Sequence, residues 1–364
     1  MGRLVAHGSD LATCRRLLLH RYPAHGNGVQ AGEGRAGRVA GGDRLMDVYS
    51  LFKRAEAFVA KAPEPVGRGL FDAVGVAAAL ANIKGVKQLK KNYRRIDPGL
   101  SGLKLTGAAI AGMRNYMRYY YEMFRATQMS GEELNHRVVL EPDGYLRAEF
   151  AGGNSVPAAL MHTGNWDLAG AWAEKHLAHV VTVAENLGDP RMAQGFIDYR
   201  TGLGMTIYLA VPGTNVFESL VEEASEPVLL PLLADRDLTA SGVETTLLGH
   251  NLMLAPGPAL LAVKTGRPFV PLMMRHIKDR KAAKRPGGTK WVTHIDVFPP
   301  IAPTAGPDAS REEREADVAR MCQEWMDSIS DWMKEHYVHW HMLQKVYVDD
   351  LDMARLRARR AETE

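Results

Sequence analysis

From about residue 150 onward, short apolar runs alternate with amphipathic segments, and this alternation constrains the fold more than any other feature of the chain. "VPAALMH" (156–162), "VVTVAE" (180–185), "MTIYLA" (205–210), "PVLLPLLA" (227–234), "RPFVPLMMRHI" (267–277) and "KWVTHIDVFPP" (290–300) read as buried strands. The intervening "DLAGAWAEKHL", "NLGDPRMAQGFIDYRTGLG", "VFESLVEEA" and "PGPALLAVKTG" read as helices, the last with Pro near its start and Gly after its end. "REEREADVARMCQEWMDSISDWMKEHY" reads as a long closing helix. Strands separated by helices are largely parallel, because a parallel neighbour is reached by a crossover. The predicted fold is α/β, a largely parallel twisted sheet flanked by helices. Ligands of such sheets meet the carboxyl ends of the strands.

Upstream, residues 46–126 read as helical and basic. "KGVKQLKKNYRRI" (84–96) has a strongly cationic surface. "GMRNYMRYYYEMFRAT" (112–127) sets Tyr116, Tyr120 and Phe124 four apart as a core stripe, with Arg114 and Arg118 on another face expected to be solvated. Net charge is only +3, but residues 1–45 carry seven Arg or Lys against three acids and residues 46–125 carry fourteen against six. A basic first third invites an anionic partner, and successive basic amphipathic segments suit a lipid surface. No nucleic-acid-binding motif accompanies them. No apolar run reaches the ~18 residues of a spanning helix.

Residues 1–45 are rich in Gly and Arg and poor in large apolar side chains. They are expected to be a disordered extension, with Met46 as a natural start and residues 351–364 as a charged tail. Between them, residues 46–350 form one domain, whose α/β core occupies 150–345. "GEGRAG" at Gly32, Gly34 and Gly37 matches a dinucleotide fingerprint formally, but it has no strand before it. Cys14 and Cys322 stand far apart with no partner motif, which disfavours a disulfide scaffold or zinc ribbon.

"AALMHTGNWDLAG" (158–170) ends a strand at His162, turns through Thr163-Gly164-Asn165, and brings Asp167 to the first turn of the next helix. There a carboxylate is favoured by free N–H groups and the helix dipole. It can also orient a histidine for proton transfer. The plainer reading is a core histidine and a helix cap. No G-x-S-x-G segment is present and neither cysteine lies near the histidine, so serine-esterase and thiol mechanisms lack a nucleophile. "HWH" at His339 and His341 is read as a strand pair too sparse to hold a metal.

"MHTGNWDLAG" resembles the His-x-x-x-x-Asp block of the lysophospholipid and lipid A acyltransferase superfamily, and most closely the bacterial phosphatidylinositol mannoside acyltransferases. "TVAENL", "FIDYRTGLG", "LLADRDLTASGVE", "PGPALLAVKTGRPFVP" and "WHMLQ" follow in the same order, so the resemblance covers roughly residues 50–350. It implies His162 as general base on a sugar hydroxyl, with Asp235 as its carboxylate partner and Asp167 secondary. Glu185 and Arg200 resemble residues near the acceptor headgroup, where Arg can grip a phosphate by two bonds. The oxyanion is assigned to backbone N–H groups near Gly164 or to Arg236, and Lys264 and Arg267 are solvated or meet phosphates of coenzyme A. At 235 the family pattern usually carries Glu. The shorter Asp reaches His162 only if the backbone comes closer; otherwise Asp167 is left as partner.

The resemblance further implies acyl transfer from acyl-CoA, a co-substrate rather than a cofactor, to a mannose hydroxyl of a phosphatidylinositol mannoside. No metal and no covalent intermediate are implied, and the protein is expected on the cytoplasmic face of the membrane, peripheral. The alternatives are a lipid A-type or other glycolipid acyltransferase using acyl-carrier protein or acyl-CoA, and a non-catalytic lipid-binding relative.

Overall fold

The computed structural model describes residues 48–185, 189–210, 214–237, 242–284, 289–306 and 309–352. Its strands are β1 (Val138–Glu141), β2 (Val156–Leu160), β3 (His179–Glu185), β4 (Thr206–Ala210), β5 (Val228–Leu233), β6 (Val243–Leu247), β7 (His250–Leu254), β8 (Val270–Lys278) and β9 (Trp291–Val297). Its helices are α1 (Val48–Lys61), α2 (Glu64–Leu80), α3 (Lys84–Ile96), α4 (Gly102–Ala126), α5 (Gly131–Arg137), α6 (Gly144–Ala151), α7 (Trp166–His176), α8 (Pro190–Gly202), α9 (Val216–Glu223), α10 (Gly257–Thr265) and α11 (Arg311–His336).

Seven strands make one sheet in the order β1-β9-β8-β2-β5-β3-β4. Every neighbouring pair is parallel except β8 with β9. The expected α/β class is therefore the observed one. All five residues of central β2 are buried. Ala158 and Leu160 face the layer containing α7, while Ala159 and Met161 face the layer containing α10 and α11. A strand covered on both faces has no polar position to alternate with, which is why "VPAALM" is an unbroken apolar run.

Two features differ from the expectation. The sheet starts before residue 150, with the four-residue β1 paired to β9. In addition, β6 and β7 form an antiparallel hairpin closed by Leu248 and Gly249, both at positive φ as a tight two-residue turn needs.

The basic helices pack on one another rather than standing free. A Cβ on Gly75 of α2 would lie 2.7 Å from the Met113 carbonyl oxygen, so the two helices touch backbone to backbone there. Val86, Leu89, Tyr93 and Ile96 form the buried side of α3. No single described helix is long and apolar enough to cross a membrane, although α2 and α3 pass such a test together, bent by 79°. Residues 1–47 and 353–364, with Cys14 and the Gly32–Gly37 motif, lie outside the described residues. Cys322 is buried in the α11 core layer, and burial pushes its thiol up to about 12.

Candidate active site

Parallel pairing of β2 with β5 matches Leu160 to Leu233, and the register continues past the strand ends through Ala234 N–H donating to the Leu160 carbonyl at 2.9 Å. Two residues further on, the same register sets His162 beside Asp235. The His162 backbone N–H donates to Asp235 Oδ2 at 3.0 Å, and its ring Nδ1 lies 2.5 Å from Oδ1. Adjacent strands bring the backbones close enough for the shorter aspartate to reach, so no displacement to Asp167 is needed.

Asp235 is fully buried, and the Trp340 indole N–H also donates to its Oδ2, at 2.7 Å. Burial disfavours its charge, but His162 and the hydrogen bonds from His162 and Trp340 outweigh burial and hold the carboxyl below its usual range. An ionised acceptor fixes the proton on Nδ1 and leaves Nε2 of the neutral ring as a base. The His162 side chain keeps 23% of its surface exposed.

The turn after His162 is fixed residue by residue. Thr163 Oγ1 accepts from the Met274 backbone N–H on β8 at 3.1 Å. Gly164 has φ +56°, and a Cβ there would meet the Met274 backbone at 2.5 Å, so both its conformation and its space require glycine. Asn165 caps α7 by accepting from Leu168 N–H, and its amide donates to buried Glu122. Trp166 stacks on Tyr119 at 4.3 Å and stands edge-on to the His162 ring at 5.3 Å.

Asp167 does not partner His162. Its carboxylate takes Arg200 Nε at 2.6 Å, Arg200 Nη2 at 3.2 Å and the Tyr119 hydroxyl at 2.7 Å. Burial works against the Arg200 charge, but Asp167 more than compensates and holds the guanidinium above its ordinary range.

A second segment straps this turn down, and sequence reasoning assigned it no role. Gly164 N–H donates to the His339 carbonyl at 2.9 Å, His341 N–H donates to the His162 carbonyl at 2.8 Å, and the His341 ring Nε2 meets the Gly164 carbonyl at 2.9 Å. His339 ends a 3-10 turn (Tyr337–His339) rather than lying on a strand, and burial pushes the His341 ring down to about 3. Both histidines therefore serve the loop. The recurring "WHMLQ" block was the one available signal.

His162, Trp166, Phe196, Arg200, Glu185 and Arg236 line a cleft of about 410 Å³ at the carboxyl ends of the strands. Glu185 and Arg200 are not paired with each other; Arg236 Nη2 donates to Glu185 at 2.6 Å and Nη1 to Gln344 of the strap. Trp166, Arg200, Val183 and Leu233 also border a narrow apolar cavity running between α7 and the sheet, past Leu160, Trp172 and Leu229. Lys264 and Arg267 stand in the last turn of α10 and in the loop entering β8, at the opposite end of the parallel strands from His162. They do not join the cleft.

The site is thus a histidine–carboxylate pair at the carboxyl end of a largely parallel sheet, beside an open cleft and an apolar cavity. The chain belongs to the bacterial lipid A biosynthesis acyltransferase family, whose model matches residues 48–348. Among its relatives, the phosphatidylinositol mannoside acyltransferase of Mycobacterium tuberculosis (strain CDC 1551 / Oshkosh) is 32% identical over 302 residues, 80% of this chain and 86% of the relative. The protein of the same name from Mycolicibacterium smegmatis (strain ATCC 700084 / mc(2)155) is 29% identical over 326 residues, 89% of this chain and 98% of the relative.

Proposed function

We propose that the protein transfers a long acyl chain from acyl-CoA to a mannose hydroxyl of a phosphatidylinositol mannoside. His162 Nε2 takes the hydroxyl proton as that oxygen attacks the thioester carbonyl. The tetrahedral intermediate collapses with cleavage of the C–S bond, and the imidazolium returns the proton to the leaving sulfur. Asp235 holds the ring in the required tautomer and stabilises it while charged. The products are an ester and free coenzyme A, with no covalent enzyme intermediate and no cofactor.

The observation that carries this reading is the partly exposed His162 ring backed by buried, ionised Asp235 at the floor of the cleft. Arg200, clamped by Asp167, and the Glu185–Arg236 pair are assigned to the acceptor headgroup, with Gly164 N–H too committed to His339 to serve an oxyanion. Arg236 serves an oxyanion only by exchanging its bond to Glu185 or Gln344 for one to substrate. The apolar cavity past Leu160 and Trp172, about 70 Å³ in this structure, is assigned to the acyl chain, which has to part α7 from the sheet to enter it.

The protein is read as peripheral on the cytoplasmic face of the membrane. What supports contact with lipid is the set of exposed apolar side chains on the first helices, Val66, Leu70, Val74, Leu80, Ile83 and Leu103, beside the lysines of α3. Residues 46–126 are read as the membrane-facing part of one acyltransferase domain.

Membership of the lipid A biosynthesis acyltransferase family favours a second acceptor, a lipid A-type sugar, acylated from acyl-carrier protein or acyl-CoA. A glycolipid extract incubated with labelled palmitoyl-CoA, or with labelled acyl-carrier protein, separates the two by mass spectrometry. Label on a phosphatidylinositol mannoside from the first donor is the expected result. Label appearing only from the carrier protein contradicts the donor, and release of thiol with no acylated glycolipid contradicts the acceptor.

A further inference from the structure

A second cleft, of about 630 Å³, lies between α2, α4, the end of β8 and residues 289–291 at the start of β9, and the acyl-transfer scheme does not use it. Its cations are Arg68, Arg114, Arg118, Lys278 and Lys290, and its acids Glu64 and Asp72. The acids are already engaged. Glu64 accepts from Arg68 and Arg137, and Asp72 accepts both arms of Arg114. Arg68 also donates to buried Glu122 at 2.8 Å, while its Nη2 is buried without a hydrogen-bond partner.

Arg118 is different. The expectation of a solvated arginine fails, since the residue is only 8% exposed. Its Nη1 donates to the neutral Asn115 amide oxygen at 2.7 Å, and its guanidinium lies 3.7 Å over the Trp291 ring. Lys278 Nζ stands 5.1 Å from the same ring. Among the described residues no carboxylate forms an ion pair with Arg118, Lys278 or Lys290. A buried charge without a counter-charge is costly. Burial outweighs the nearby Glu122 and Asp72 carboxylates, and Arg68 and Arg114 add repulsion, so this guanidinium is pushed down to about 10.

A guanidinium held flat on an indole, in a cleft that Lys278 and Lys290 also line, suits a phosphate, for which an arginine is the preferred partner. The flank of α2 beside cleft-lining Pro65 and Gly69 adds a second observation. Val66, Leu70 and Val74, four apart, are 57%, 48% and 48% exposed there. An anion in the cleft thus has an apolar stripe next to it, which matches an amphiphile.

We propose that this cleft binds the phosphate of an anionic phospholipid whose acyl chains lie along Val66, Leu70 and Val74, as a lipid site separate from the cleft at His162. The proposal does not depend on the acyl-transfer reading. The diphosphate of coenzyme A offers the same phosphate chemistry, so the test includes it.

Calorimetric titration of the full chain with dihexanoyl phosphatidylglycerol, kept below its micelle concentration, is set beside inorganic phosphate and coenzyme A. Saturable binding of the lipid is expected in wild type and in His162→Ala alike. Removing one charge-assisted contact weakens binding about tenfold. K278Q/K290Q therefore loses most of the affinity, and Arg118→Gln loses it altogether. Because burial of this charge outweighs what Glu122 and Asp72 return, the Tm of Arg118→Gln without lipid equals or exceeds that of wild type; a purely structural arginine predicts a fall. Unchanged lipid affinity in K278Q/K290Q overturns the site, whether or not the arginine variant folds. Inorganic phosphate bound as tightly as the lipid overturns the amphiphile. Coenzyme A binding that competes with the lipid and is lost in the same variants reassigns the cleft to the acyl donor.

Discussion

At the scale of single residues, three donors converge on one buried carboxylate, that of Asp235. Asp235→Asn keeps shape but removes the charge and disturbs the tautomer of His162. It is expected to lower kcat by about 10²–10⁴-fold with little change in KM, measured as thiol release under saturating acceptor. A comparable loss in KM alone would mean that Asp235 binds substrate instead. Trp340→Phe leaves Asp235 Oδ2 one donor short, which costs roughly 1–3 kcal/mol in denaturant unfolding. It also lowers kcat, and in the double variant with Asp235→Asn the two losses do not add, because both act through one carboxylate. Of these residues His162 was legible locally, as a polar residue closing an apolar run before a turn. Asp235 entered by resemblance, and its fit to His162 became physical only with the register of β2 on β5. Trp340 stands 105 residues from Asp235, and nothing local to an indole in "WHMLQ" marks which carboxylate it will meet.

At the scale of elements, the strands with long apolar runs were readable because both faces of the sheet are covered. β1 was not, since four residues give too short a run, and its strand character depends on pairing with β9 at the far end of the chain. The β6–β7 hairpin hid behind "TLLGHNLML", an apolar run whose turn uses Leu248 at positive φ, a residue that turn statistics do not favour. The terminal helix was legible, but its anchorage was not. Asp317 on α11 accepts from Thr304 N–H and Oγ1 at 2.7 Å and from Ala305 N–H at 2.8 Å. Burial opposes its ionisation, yet these bonds and Arg320 hold it at about 2, against an ordinary 3.8. A lowered carboxyl contributes stability that is fully present above its ordinary value and lost as pH falls through the folded one. Asp317→Asn should thus lower Tm at pH 7, and the gap to wild type should close between about pH 4 and pH 2. A gap independent of pH would assign the effect to packing.

At the scale of the whole molecule, sequence composition located the basic charge but not its two different placements, exposed on α3 and turned inward on α4. On α3, Lys84, Lys87, Lys91 and Arg94 are exposed while Leu89 and Tyr93 face inward, as the amphipathic pattern implied. On α4, Arg118 turns inward against Trp291, which a helical wheel cannot foresee because the indole arrives from the start of β9. Replacing Lys84, Lys87 and Lys91 by Gln is expected to weaken binding to phosphatidylglycerol vesicles in sedimentation assays. Roughly 1 kcal/mol per charge is at stake at low salt, and wild-type binding should itself fall as salt rises. Equal binding to neutral phosphatidylcholine vesicles would place the attraction in the apolar side chains alone.

The most direct trial of the whole account is the initial rate of thiol release from palmitoyl-CoA, with purified phosphatidylinositol mannoside present, for wild type and for folded His162→Ala. If an imidazole on the end of β2 activates the sugar hydroxyl, the wild type releases thiol in step with ester formed, and the variant falls by about 10²-fold or more. Equal rates in the two proteins, with the same acylated product, would remove His162 from the chemistry.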